Sequence, residues 1–207
     1  HSSEEEVARD FICFENPDAV IVVCDATCLE RGLLLVMQVL ETCPRALLCV
    51  NLLDEAEKRQ ITIDLPQLEQ LLGIPVVGMA ARSGTGLPEF QQRLFDLLHQ
   101  PAPQPQPCPV PEQLVQPLEQ IQNELPENLC GLQREWTARR LLEPEPELHE
   151  KIAAHGNISL EIPALSDALE QTWKQYSPEV CADAMIAAIV RHSEALAAQT
   201  VHQPEQT

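Results

Sequence analysis

The fold turns on Ala46-Leu-Leu-Cys-Val50, an unbroken apolar run that stops at Asn51-Leu52-Leu53-Asp54. Five apolar residues without alternation read as a strand buried on both faces, as in parallel sheets covered by helices. The pattern repeats outward in both directions. Upstream, Ala19-Val-Ile-Val-Val-Cys24 is a buried run that ends in Asp25-Ala26-Thr27. Downstream, Ile74-Pro-Val-Val-Gly-Met79 leads into Ala80-Ala81-Arg82-Ser83-Gly84. Residues 29–42 carry Leu33, Val36, Met37 and Leu40 at helical spacing and stop before Pro44. Asp64, with Gln67 three residues on, opens a short helix that Gly73 ends. Residues 88–99 predict a last helix, and Ser3 with Glu6 predicts a capping box for a first one. That first helix would carry Val7, Phe11 and Phe14 on one face and stop at Asn16-Pro17. Strand, crossover helix and strand recur twice, so at least three parallel strands with right-handed crossovers are expected. Such sheets bind ligands beyond the carboxyl ends of their strands. Asp25, Asn51, Asp54 and residues 80–84 all fall there.

Composition narrows the function. Thirteen basic against 32 acidic residues in 207 leave a net charge of −19, which repels phosphate backbones and excludes general nucleic-acid binding. Apolar residues make up 44% and aromatic ones 3%, so the core is aliphatic. The apolar runs are far shorter than the roughly 20 residues that cross a bilayer, and His1-Ser-Ser-Glu-Glu-Glu6 has no basic flank, so a soluble chain without a signal peptide is expected. The eight cysteines form no C-x-x-C pair, and Cys24-x-x-x-Cys28 is only half a tetrahedral shell. They read as reduced core residues of a cytosolic protein, with no metal ligands among them.

Pro101-Ala-Pro-Gln-Pro-Gln-Pro-Cys-Pro-Val-Pro111 reads as an extended, semi-rigid joint. The expected organisation is therefore residues 1–100 as an α/β unit, 101–111 as linker and 112–200 as a helical domain. In the latter, Leu125, Leu129, Leu132 and Trp136 fit one helical stripe and Leu165, Leu169, Trp173 and Tyr176 another. Ser177-Pro178 opens a further helix carrying Cys181, Ala184, Met185, Ala188 and His192. A small bundle of four or five helices follows, with both tryptophans as core anchors and His155 and His192 as isolated structural residues. Residues 199–207 are expected to fray.

Asn51-x-x-Asp54 at one strand end, beside Ala80-Ala81 at the next, suits one ligand edge. Guanine presents N1–H and a 2-amino group side by side, and the Asp54 carboxylate can accept both in a bidentate pair. Asn51, both donor and acceptor, can brace loops and reach the purine N7. A backbone N–H of the Ala80–Ala81 turn would serve O6, and Arg82 could stack on the base. Adenine would leave buried polar groups unpaired. N-x-x-D alone recurs by chance, and a plain helix cap at Asp54 is the competing interpretation.

The residues that carry further weight are Ser3-Glu-Glu-Glu-Val-Ala-Arg-Asp-Phe-Ile12, Glu15-Asn-Pro-Asp18, Asp25-Ala-Thr-Cys-Leu-Glu-Arg31, Asn51-Leu-Leu-Asp-Glu-Ala-Glu-Lys58, Leu72-Gly-Ile-Pro-Val-Val77 and Ala81-Arg-Ser-Gly-Thr-Gly-Leu87. In order and spacing they resemble the cytoplasmic GTP-binding region of the ferrous-iron transport protein B (FeoB) family. The resemblance implies half of a P-loop-NTPase-like parallel sheet, three strands with flanking helices, followed by the family's helical domain. It maps Asn51 and Asp54 onto the base-recognition box and Ala80–Ala81 onto the final box; Arg82 is either a residue stacked on the base or a solvated loop arginine. Leu52 stands where small GTPases generally have Lys, and Ala80 where the final box usually has Ser, which implies weak guanine affinity. No G-x-x-x-x-G-K-[ST] occurs in the sequence, and by the resemblance the chain begins just after the D-x-x-G switch motif. The phosphate cradle, Mg2+ ligands and water-positioning residues are thus expected to lie elsewhere, and hydrolysis by this chain alone is not expected.

In the parent, the resemblance implies GTP/GDP binding coupled to ferrous-iron uptake at the cytoplasmic face of the bacterial inner membrane. The partners would be the N-terminal half of the G domain and a membrane domain. The strand at residues 19–24 would lack its usual neighbour, so its edge is expected to be covered by another molecule, as in a homo-oligomer, or by an exchanged segment. The alternative function is an acidic helical interaction and regulatory module, with residues 143–150 as its most acidic part and no nucleotide role.

Overall fold

The structure, a computed structural model, describes residues 3–203, and side chains from residue 6 onward. The chain opens with helix α1 (Ser3–Phe14), then β1 (Val20–Asp25), a 3-10 turn (Ala26–Cys28), α2 (Leu29–Leu40), β2 (Ala46–Asn51) and α3 (Leu53–Lys58). It continues through β3 (Thr62–Ile63), α4 (Leu65–Leu72), β4 (Val76–Gly78) and α5 (Leu87–His99). After the proline-rich segment come α6 (Val115–Glu124), α7 (Arg134–Leu141), α8 (Pro146–Gly156), α9 (Pro163–Gln175), α10 (Pro178–Thr200) and β5 (Val201–His202). The fold is α/β, with a parallel sheet flanked by helices and further helices after it.

Two compact units emerge: residues 1–16 with 109–189, and residues 17–108 with 190–207. Neither is a continuous stretch, unlike the cut expected at residues 101–111. Helix α1 groups with the second-half helices, and the end of α10 groups with the sheet.

In the sheet unit the strand order is β1-β2-β4, all parallel. β2 is central and buried along residues 46–50, as its unbroken apolar run requires. Leu47, Cys49, Val77, Met79 and Leu97 form the core on the side where Ala19 and Phe90 also pack. Helix α2 closes on β1 through Gly32, where a Cβ would lie 2.5 Å from Cys24 Sγ. β1 departs from expectation: Val22 and Cys24 are buried, but Ile21 and Val23 are exposed. It pairs with β2 alone among the described residues, so it is a half-buried edge strand with no exchanged segment laid on it. Asp64 caps α4 by accepting from Gln67 N–H at 2.9 Å, and Gly73 ends it at φ +71°. A second, antiparallel sheet, unforeseen in the sequence, pairs β3 with β5, with Asp64 N–H donating to Thr200 O. Residues 199–203 therefore do not fray; residues 204–207 lie outside the described residues.

In the helical unit Ile121, Leu125, Leu129, Leu132, Trp136 and Leu165 belong to one core. Leu125, Leu129 and Leu132 are buried but not on a helix with Trp136. Positive φ at Cys130 and Gly131 breaks the segment between α6 and α7. Trp136 is 3% exposed; Trp173 is partly buried and donates Nε1–H to Leu142 O. In α1, Val7 and Phe11, expected on one face with Phe14, are exposed, whereas Cys13 is buried and Phe14 packs edge-on to Trp136. Ion pairs from Arg9 to Glu145 and from Asp10 to Lys151 accompany that rotation. The expected capping box involves Ser3, whose side chain lies outside the described residues. No helix among the described residues is long and apolar enough to cross a membrane.

Candidate functional site

β2 delivers Asn51 at its carboxyl end, and the chain then turns through Leu52, held at φ 63°, ψ 34°. A left-handed leucine is uncommon and signals a turn imposed by its surroundings. It is the N-cap of α3, and no side chain caps that helix. Asp54 thus sits in the first turn of α3, half-exposed, rather than acting as the cap of a helix beginning after it.

β4 ends beside this point. Met79 N–H donates to Val50 O at 2.8 Å, and Leu53 N–H donates to Met79 O at 3.1 Å. Residues 80–85 then form a tight turn: Ala80 N–H donates to Thr85 O, Ser83 N–H to Ala80 O, and Ser83 Oγ also bonds Ala80 O. Ala80 is buried, while Ala81 and Arg82 are exposed. Ala81 N–H donates to Asn51 Oδ1 at 3.0 Å. The structure therefore brings Asn51, Asp54 and the Ala80–Ala81–Arg82 turn to one end of the sheet. It also differs from expectation in one respect: the Ala81 N–H assigned to O6 is engaged by the Asn51 amide.

Asp25, a polar residue at the end of β1, gains a structural role here. It is the β-ladder partner of Asn51, and its Oδ1 accepts Thr27 N–H at 2.7 Å. That bond, then the Thr27 hydroxyl, Cys28 and the Arg59 charge, hold its carboxyl below the usual aspartate value against a smaller opposing effect of burial. The local signal was Asp-x-Thr at a strand end, an Asx turn. Among the described residues, no group of three or more His, Cys, Asp or Glu side chains could hold a metal ion.

A three-stranded parallel sheet whose polar residues gather beyond its carboxyl ends defines a piece of a nucleotide-binding-type α/β domain. Residues 1–94 match the profile of a family described as Ferrous iron transport protein B. Over 99 residues, 47% of the chain, it is 41% identical to the Fe(2+) transport protein A/Fe(2+) transporter FeoB fusion protein of Porphyromonas gingivalis, covering 11% of that protein. Over 86 residues, 42% of the chain, it is 40% identical to the Fe(2+) transporter FeoB of Salmonella typhimurium, covering 11% of that protein. The chain thus spans about a tenth of the length of these curated relatives. Among solved structures, the cytosolic domain of L. pneumophila FeoB superposes with a TM-score of 0.72 at 26% identity, over 98% of this chain and 75% of that one. The cytosolic domain of the T. maritima FeoB iron transporter in its GMPPNP form gives 0.78 at 21% identity, over 98% and 75%, a likeness of fold. Through its first 94 residues the chain is thus similar to the ferrous iron transport protein B family.

Proposed function

We propose that the crevice formed by Asn51, Asp54 and residues 80–82 recognises the guanine base of GTP or GDP. In the longer protein to which this chain would belong, that binding would be coupled to ferrous-iron uptake at the cytoplasmic face of the membrane. The observation that carries this assignment is the 3.0 Å bond from Ala81 N–H to Asn51 Oδ1, which ties the base-recognition box to the final box. Asp54 supplies the bidentate acceptor for N1–H and the 2-amino group. The Ala81 N–H, shared with Asn51 Oδ1, is the donor this reading assigns to O6. Crystal structures of T. maritima FeoB in GDP and GMPPNP forms support the ligand class. The open edge of β1, with Ile21 and Val23 exposed, is where the remainder of a nucleotide-binding sheet would add. No phosphate or Mg2+ contact is assigned to residues of this chain.

Titration of a fluorescent GDP analogue into the 207-residue chain tests the assignment. Saturable binding that Asp54→Asn reduces by tenfold or more is expected, since loss of a bidentate charged acceptor costs roughly 1.5–3 kcal/mol. Binding indifferent to that substitution, or competed equally by adenine nucleotides, refutes it.

A further inference from the structure

Helix α3 has six residues, and no side chain caps its first turn. A helix of that length does not hold its own direction in water, because nucleation is unfavourable and too few bonds follow it. Where the Asp54 carboxylate points is therefore set by what packs on α3. Two supports are visible. One is the Leu53 N–H bond to Met79 O, from the β4 side. The other is the 3-10 turn Ala26–Cys28, which packs against α3 from the β1 side and buries Ala26. Asp25 holds that turn: its carboxylate caps Thr27 N–H at 2.7 Å, and its backbone sits opposite Asn51 in the ladder. Arg59, the residue that ends α3, adds an attractive charge toward Asp25. The carboxylate thus holds the turn on which α3 rests.

We propose that Asp25 is a positioning residue for guanine selectivity, bracing α3 through the Ala26–Cys28 turn so that Asp54 meets the base edge, without itself touching the nucleotide. This rests on the guanine assignment above. Asp25→Ala removes cap and charge together, whereas Asp25→Asn keeps an acceptor for Thr27 N–H. The measured quantity is the affinity ratio of GDP to IDP, whose base lacks the 2-amino group that Asp54 accepts. Asp25→Ala should lower the ratio about fivefold, the scale of losing one cap, and Asp25→Asn should restore most of it. A residue that only stabilises the unit would lower the melting temperature and leave the ratio unchanged, and that result overturns the proposal. Hydrogen exchange on the nucleotide-free chain separates the two levels of inference. Asp25→Ala should speed exchange at residues 55–59 more than in α4, and equal acceleration in both also overturns it. If the wild-type chain shows no saturable guanine binding, the guanine assignment fails and takes the selectivity role with it. The exchange data then still report whether Asp25 braces α3.

Discussion

Cys24 shows how one buried atom sets a chemical boundary. Its thiol is 4% exposed, under Gly32 of α2, and burial pushes its pKa up to about 11, with Cys49 and Cys28 adding to the effect. A group whose folded pKa is raised keeps its full contribution to stability below the unfolded value and loses it as pH climbs through the folded one. Folding stability should therefore hold to about pH 8.5 and fall between about pH 9 and 11, and Cys24→Ala should flatten that fall. Urea melts across this range check the slope. A wild-type slope matching that of the variant excludes Cys24 as its source. In thiol labelling at pH 8, exposed Cys28 and Cys130 should react quickly, and buried Cys24, Cys43, Cys49 and Cys181 only on unfolding. Burial of Cys24 was legible because the residue sits in an apolar strand. The bracing by Asp25 was not: its Asp-x-Thr turn is local, but the packing of that turn on α3 arises only through the fold.

The elements around the crevice are spaced by glycines of unequal importance. Gly86 sits at φ +80° at the start of α5, and a Cβ there would lie 2.2 Å from Gly78 O and 3.2 Å from Met79 Cα. Gly84 has a similar φ of +78° but nothing within 4 Å. Both substitutions to alanine incur left-handed strain, of order 1 kcal/mol, but only Gly86→Ala also drives a methyl into the backbone of β4. Gly86→Ala should therefore destabilise by about 2–4 kcal/mol against about 1 for Gly84→Ala, and only the former should also weaken GDP binding, because β4 carries the 80–85 turn. Equal effects in chemical denaturation would mean that the close approach to Gly78 is not limiting. Local rules reached most elements: Asp64, Gln67 and Gly73 framed α4 from side-chain chemistry alone. They could not reach the β3–β5 pair, whose strands are two residues each and joined only by tertiary structure. Nor could they reach the left-handed Leu52, a residue type that seldom adopts that conformation unforced. The stripe from Leu125 to Trp136 misled because burial in a loop mimics helical spacing.

At the scale of the whole chain, each of the two units has a hydrophobic core and the sequence carries a strong negative charge. The net charge of −19 stores self-repulsion that compaction increases, while ion pairs such as Lys58–Glu55 and Lys174–Glu170 lie in solvent. Exposed pairs contribute about 0–1 kcal/mol each and are themselves weakened by salt, so the two effects have opposite signs. Repulsion among 32 acidic side chains acts over the Debye length, which shrinks from about 30 Å at 0.01 M salt to about 8 Å at 0.15 M. Repulsion should win, and the melting temperature should rise by a few degrees over that interval. Both tryptophans, at 136 and 173, fall in the helical unit, so their fluorescence reports that core. Exposure of Cys24 and Cys49 reports the sheet. Leu47→Ala, at a fully buried position in β2, should cost about 2–5 kcal/mol and move the thiol-detected transition first. A melting temperature that falls with added salt would show instead that the ion pairs, Arg9–Glu145 and Asp10–Lys151 foremost, outweigh the net charge.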